Sequence, residues 1–130
     1  MRLSAASDAA PQWLASVVGM VLIWRAAHGS IAVALLAAIA HVWRCALTGR
    51  RDRWLRVAVV ALTAEGTVVG LNGGDCPLGP IGERVGDEVP LFELVLPPRA
   101  AKLAVPALGI VAAIPIAIIA AGRGRNRQPL

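Results

Sequence analysis

The sequence predicts an all-α membrane protein: a bundle of four transmembrane helices, with three helices as the alternative. Hydrophobic residues make up 57% of the 130 residues, and the mean hydropathy is +0.66. Only 16% of the residues are charged, against about 25% in soluble domains. The charges lie in clusters between apolar runs that approach the roughly 17 to 25 residues needed to cross a bilayer. We therefore expect a single membrane domain, residues 1–130.

The first two predicted helices are separated only by a short polar stretch. The first, about residues 9–27, has a tryptophan near each end, as in the aromatic belts of membrane proteins. Its clean apolar part covers only about 18 Å, so a helix lying along the membrane interface is the alternative. The stretch from Arg25 to Ser30 contains His, Gly and Ser and predicts a tight turn. The second helix is then expected at about residues 30–47.

The other two predicted spans flank a long segment of different composition. A span at about residues 54–71 follows an arginine-rich loop and carries Glu65. Residues 72–102 are rich in Gly and Pro, which predicts an irregular loop whose acidic side chains are solvated. The last span, about residues 103–121, contains internal prolines, which membrane helices tolerate with a bend.

The distribution of arginine and lysine predicts the orientation of these helices. Arginines are concentrated in the loop after the second span and in the C-terminal tail, whereas residues 72–102 hold more acids than bases. Cytoplasmic loops are enriched in Lys and Arg, so the C-terminus is expected in the cytoplasm and residues 72–102 outside. The N-terminus would be cytoplasmic with four crossings and outside with three.

Glu65 is the most informative polar residue, since it is expected near the middle of its span. A charge there costs at least about 2.5 to 3.5 kcal/mol, so the carboxyl should face protein, be paired or be protonated. A structural hydrogen bond to another helix and a role as a proton carrier or ligand contact both stay open. Helix counting places His41 within roughly 8 Å of Glu65 in depth, which allows a contact between them across the hairpin.

The remaining reactive side chains are two cysteines and a second histidine. Cys45 and Cys76 are predicted on opposite sides of the membrane, too far apart for a disulfide, so each is expected to be a free thiol. Cys76 is either packed or a reactive thiol in the outer compartment. His28 and His41 would lie about 20 Å apart along a helix axis, too far to ligate one haem iron within a monomer. We predict no metal and no cofactor, and leave open haem bound by one His with another ligand or by two subunits.

The segment that follows the Glu65 helix carries a short motif. It contains Cys76, Pro77, Leu78 and Pro80. With these residues it resembles the Cys-Pro-Leu-Thr-Pro-Leu-Glu run of a family of small bacterial multi-pass membrane proteins of unknown function. Gly79 stands in place of the Thr, and Ile81 and Gly82 stand in place of Leu-Glu. The resemblance implies a helical protein of the bacterial inner membrane and implies no activity.

These features lead to three hypotheses about function. The first is a small non-catalytic accessory or structural subunit of a larger membrane complex, because no catalytic set is recognisable and Ala- and Gly-rich helices favour lateral packing. Its partners would be the lipid bilayer and other membrane subunits or a second copy, not nucleic acid. The second is a redox or small-molecule-binding protein with a quinone- or haem-type ligand. Its candidate binding residues are Glu65, His41, Cys76 and His28. The third is a proton-coupled transporter that works as an oligomer.

Overall fold

The computed structural model describes residues 12–125, and within that range it contains helices and turns but no strand. The elements are α1 (Gln12–Thr48), α2 (Arg53–Leu71), α3 (Gly79–Arg84), a 3₁₀ turn (Leu91–Leu94) and α4 (Pro98–Arg125). Three of the helices, α1, α2 and α4, are long and apolar enough to cross a membrane. The predicted all-α class is thus confirmed.

The predicted turn between the first two spans is wrong, because α1 continues through residues 25–30 without a break. The expected spans 9–27 and 30–47 therefore belong to one helix of 37 residues, which is about 55 Å long. Residues 12–125 contain three candidate spanning helices, the alternative count, and not four. The part of the first expected span that precedes residue 12 lies outside the described residues.

The helix continues here because its polar side chains find partners without a turn. The Ser30 hydroxyl donates a hydrogen bond to the carbonyl oxygen of Ala26, one turn earlier, at 2.7 Å. The His28 ring lies against the Trp24 ring, also one turn earlier, with the ring centroids 5.7 Å apart. Residues four apart share a helix face, so both contacts form within a continuous helix.

Part of the segment between α2 and α4 packs against the N-terminal half of α1, whereas three of its acidic residues are exposed to solvent, as expected. The Arg25 guanidinium donates to both carboxylate oxygens of Asp87, with the shortest bond, from Nη2 to Oδ1, at 2.7 Å. The Asp87 side chain is only 7% exposed, so the expectation of a solvated carboxylate is wrong for this residue. Gly82 of α3 is buried against Trp24, where an added Cβ would lie 3.1 Å from the indole nitrogen.

The ends of the helices follow local signals. Asp52 is the N-cap of α2, and its Oδ1 accepts a hydrogen bond from the backbone N–H of Leu55 at 2.8 Å. Gly49 has a φ of 70° directly after α1, the left-handed conformation that often follows a helix C-terminus. Helix α4 begins at Pro98, five residues before the expected start at residue 103, because proline suits the first position of a helix.

The core lies between the three long helices and includes a proline. Pro115 is fully buried within α4, and its lack of an N–H leaves the carbonyl of Val111, four residues earlier, without its helical donor. The Trp43 indole of α1 donates a hydrogen bond to that carbonyl at 3.0 Å. A neighbouring helix thus supplies the donor, which is how internal prolines are accommodated in membrane helices. The other buried residues of this core are Val42, Cys45, Leu55, Ala58, Leu62, Ala112 and Ile119.

Candidate functional site

A cleft of about 630 Å³ lies between α1, α2 and α4. Most of its wall is apolar, and the 3₁₀ turn adds Leu91 and Phe92 to it. Three of the four residues that the sequence singled out line this cleft, namely His28, Glu65 and Cys76. The structure therefore brings together side chains from α1, from α2 and from the turn after α2.

His28 and Cys76 form a pair at the wall of the cleft. The Cys76 Sγ lies 3.6 Å from the His28 Nε2, and both side chains are half-buried. The Trp24 ring also lies beside the His28 imidazole, with the two ring centroids 5.7 Å apart. The Arg25–Asp87 ion pair holds the segment that follows Cys76 against α1. The His28–Cys76 pair is therefore positioned by a contact between residues far apart in the sequence.

Glu65 faces the cleft from α2 and is half-buried. Within residues 12–125 its carboxyl has no hydrogen-bond or ion-pair partner. The structural alternative, a hydrogen bond from Glu65 to another helix, is not formed among these residues. A carboxyl that faces an apolar cleft without a partner is available to a molecule bound there.

His41 lies away from the cleft, at the end of α1 that leads into α2. Its Nε2 is 3.1 Å from Asp52 Oδ1 and 3.6 Å from Cys45 Sγ. The contact between His41 and Glu65 that helix counting allowed is not formed. Asp52, and not Glu65, contacts the imidazole because, as the N-cap of α2, it lies at the hairpin turn beside the last turns of α1.

The cluster of His41, Cys45 and Asp52 could hold a metal ion, since the ligand atoms of all three lie within 4.8 Å of one another. Sequence reasoning missed the part played by Asp52. The available signal was the spacing of His41 and Cys45, which places them on one helix face, followed by an acidic residue where a short loop enters the next helix.

Two carboxylates outside the candidate spans are stabilised in their charged form. The backbone N–H of Leu55, followed by the contact with His41, holds the pKa of Asp52 below its ordinary value. The hydrogen bonds from Arg25, together with its charge, hold the pKa of Asp87 below its ordinary value. Both acids therefore fix a segment in place as anions.

Comparison with known proteins adds no relative to this picture. No protein-family model, no curated protein and no solved structure matches the chain. The resemblance around Cys76 stays a prediction, and the function is argued from the geometry of the site.

Proposed function

We propose that this protein binds a lipid-soluble small molecule with a polar head group, such as a quinone or quinol, in the cleft between its three long helices. One observation carries the proposal: an apolar cleft of about 630 Å³ whose wall contains His28, Glu65 and Cys76. Small-molecule sites are typically clefts of about 300 to 1,000 Å³ with apolar walls and a few polar groups that orient the ligand.

The apolar and the polar parts of the cleft wall correspond to the hydrocarbon tail and the polar head group of such a ligand. Apolar side chains of α1 and α4, among them Leu35, Leu108 and Ile116, line the cleft and suit a hydrocarbon tail or ring. The Glu65 carboxyl accepts a hydrogen bond from a hydroxyl group, and the imidazole of His28 both donates and accepts. A polar head in contact with these groups loses its water without losing hydrogen bonds.

The environment of the protein is part of the proposal. The three long helices would cross the plasma membrane of a bacterium, with the arginine-rich α1–α2 loop and the C-terminus in the cytoplasm. The segment from residue 72 to residue 97 would then lie outside, beside the His28–Cys76 pair. This orientation rests on the distribution of Lys and Arg.

Native mass spectrometry of the tagged full chain, gently extracted from its own membrane, tests the proposal. We expect a monomer or homo-oligomer that carries a bound small mass, which organic extraction then releases for identification. A chain that carries no small mass and arrives with another polypeptide at fixed stoichiometry would contradict ligand binding and favour the accessory-subunit hypothesis.

A matched pair of glycine variants shows whether the bound molecule occupies the cleft. Gly109 lines the cleft, and a Cβ added there meets nothing within 4 Å, so Gly109→Leu narrows the cleft without a backbone clash. Gly70 of α2 is equally open but does not line the cleft. We expect Gly109→Leu to lose the bound mass and Gly70→Leu to keep it. Equal retention by both variants would place the ligand elsewhere.

Glu65→Gln tests the polar contact separately. The change keeps the size of the side chain and removes its ability to carry a charge. We expect the affinity for a hydroxyl-bearing ligand to fall about tenfold, equivalent to about 1.4 kcal/mol, while the thermal stability in detergent barely changes. A large loss of stability with unchanged occupancy would show that Glu65 is only structural.

A further inference from the structure

The last turns of α1 and the loop that leads into α2 carry reactive side chains that do not line the cleft. We propose that His41, Cys45 and Asp52 form a binding site for a divalent zinc ion. Their ligand atoms all lie within 4.8 Å of one another, and together they offer one nitrogen, one sulfur and one oxygen. The proposal is independent of the ligand in the cleft, because His41 does not line it.

The distances are close to those between neighbouring ligands of a tetrahedral zinc ion, and small side-chain shifts complete the geometry. Bond lengths of about 2.3 Å to sulfur and about 2.0 to 2.2 Å to nitrogen or oxygen imply ligand separations of about 3.6 Å for S···N and about 3.4 Å for N···O. The observed separations are 3.6 Å from Cys45 Sγ to His41 Nε2 and 3.1 Å from His41 Nε2 to Asp52 Oδ1. Cys45 and Asp52 lie at most 4.8 Å apart, so their ligand atoms need to approach by no more than about 1.2 Å.

The two contacts of His41 compete for one ring nitrogen, and a bound cation would remove this competition. The sulfur of Cys45 and the carboxylate of Asp52 both approach the same ring nitrogen of His41, Nε2. That nitrogen carries at most one proton. If it donates to Asp52, it has no lone pair for the thiol hydrogen of Cys45. If it accepts from Cys45, two lone pairs of His41 and Asp52 face each other. A metal ion bound by all three removes this conflict.

The chemistry of the three donors selects the ion. Thiolate and imidazole ligands suit zinc, whereas Ca²⁺ and Mg²⁺ require sets of oxygen ligands. One thiolate and one carboxylate balance the two charges of the ion, so the occupied site is neutral. Neutrality matters because this stretch of chain also contains Arg44, Arg50, Arg51 and Arg53.

The burial of the three donors indicates the side from which the ion enters the site. Cys45 is 1% exposed, whereas the side chains of His41 and Asp52 are 23% and 36% exposed. The ion therefore enters from the loop side and keeps its fourth position for water, as in sites with three protein ligands. On binding, the S–H bond of Cys45 breaks, its proton passes to solvent and a sulfur–zinc bond forms, without electron transfer. The bound ion links the end of α1 to the start of α2.

The other His–Cys pair supplies a matched control. Cys76 Sγ and His28 Nε2 are also 3.6 Å apart, but the nearby carboxylate, Asp87, is engaged by Arg25. Among residues 12–125 this pair belongs to no group of three ligands. The first variants are therefore Cys45→Ala and Cys76→Ala, with Asp52→Asn as the third, because Asn caps a helix about as well as Asp.

The experiment uses the purified full chain in detergent, freed of metal with a chelator that is then removed, and titrated with Co²⁺ alone. We expect one Co²⁺ per chain with a thiolate-to-cobalt charge-transfer band, released by stoichiometric Zn²⁺. Cys76→Ala should bind as the unsubstituted protein does. Cys45→Ala should lose the band and bind more than about 100-fold more weakly, beyond the 10- to 100-fold effect of an outer-shell partner.

Asp52→Asn keeps the proposal testable if Cys45→Ala does not fold, as judged by circular dichroism. This variant should retain the helical spectrum and the band, and it should bind Co²⁺ at least about tenfold more weakly. The proposal would be overturned by absence of saturable binding, by a band that survives in folded Cys45→Ala, or by unchanged affinity in Asp52→Asn. A band lost in Cys76→Ala alone would overturn it too.

Discussion

Replacing Trp43 with Phe removes one hydrogen bond whose partner is known, the Val111 carbonyl freed by Pro115. Phe keeps an aromatic ring in the same place, so the change acts mainly on the donor at 3.0 Å. Val111 lies within the candidate span of α4, where water does not replace a lost donor. The substitution therefore tests whether α1 stabilises the proline-containing turn of α4.

The size of the effect follows from hydrogen bonds measured in membrane proteins. Interhelical side-chain hydrogen bonds contribute about 0.6 kcal/mol on average and up to about 1.7 kcal/mol. The Val111 carbonyl has no donor from residue 115, so we expect Trp43→Phe to lower the free energy of unfolding by about 1 to 2 kcal/mol. In a Pro115→Ala background, the new N–H of residue 115 serves the same carbonyl, and the cost of Trp43→Phe should fall by about 1 kcal/mol.

A double-mutant cycle measures this coupling. The four proteins would be unfolded at equilibrium in mixed micelles of mild detergent and dodecyl sulfate, with helix content followed by circular dichroism. Pro106→Ala in the same helix is the control, and its cost should add to that of Trp43→Phe within about 0.5 kcal/mol. Equal costs of Trp43→Phe with and without Pro115 would refute the reasoning.

The remaining predictions concern the segment that packs on α1. Gly82→Ala should lower the free energy of unfolding by about 1 to 3 kcal/mol, because its Cβ would lie 3.1 Å from the Trp24 indole nitrogen. Gly70→Ala, also in a helix and with nothing within 4 Å, is the control in the same denaturation assay, and equal effects would exclude the clash. Because Arg25 lowers the pKa of Asp87, the ion pair stabilises the fold above the unfolded pKa of about 3.9 and this stability is lost as pH falls through the lower folded pKa. Unfolding of the unsubstituted protein and of Asp87→Asn should therefore differ at pH 6 and converge below about pH 4, whereas a constant difference would show that the charge is not involved.

The helices that depend on local composition were the ones predicted well. The expected span 54–71 is α2, Arg53–Leu71, within one residue, because an apolar run with an acidic cap and a terminal Gly pair has both ends marked locally. The continuity of α1 could not be predicted. The neighbouring residues indicate that a turn starts at Arg25. The ion pair that engages Arg25 involves Asp87, which is 62 residues away in the sequence.

Of the candidate site, the sequence likewise predicted the part that depends on local composition and not the part that depends on how the helices are joined. Hydropathy alone identified Glu65 as a carboxyl within an apolar helix, and the structure places it at the cleft. The partners of the two histidines depend on how helices are joined. His41 meets Asp52 because a four-residue connection leads directly into a capped helix, and His28 meets Cys76 because the segment after α2 folds back on α1. Counting depth along separate helices does not contain this information.

The unequal lengths of α1 and α2 have a consequence for how the protein sits in lipid. Helix α2, with 19 residues, is about 28 Å long and matches the hydrocarbon thickness of about 30 Å. Even at a tilt of about 40°, the upper end of the observed range, α1 uses only about 39 Å of its length to cross, so about 16 Å remains beyond the hydrocarbon. The N-terminal turns of α1 expose Trp13, Leu22 and Ile23, so they suit the head-group layer better than water. The thickness of the bilayer then determines how far this overhang emerges, and with it the depth of the His28–Cys76 pair at which a lipid-soluble molecule would arrive.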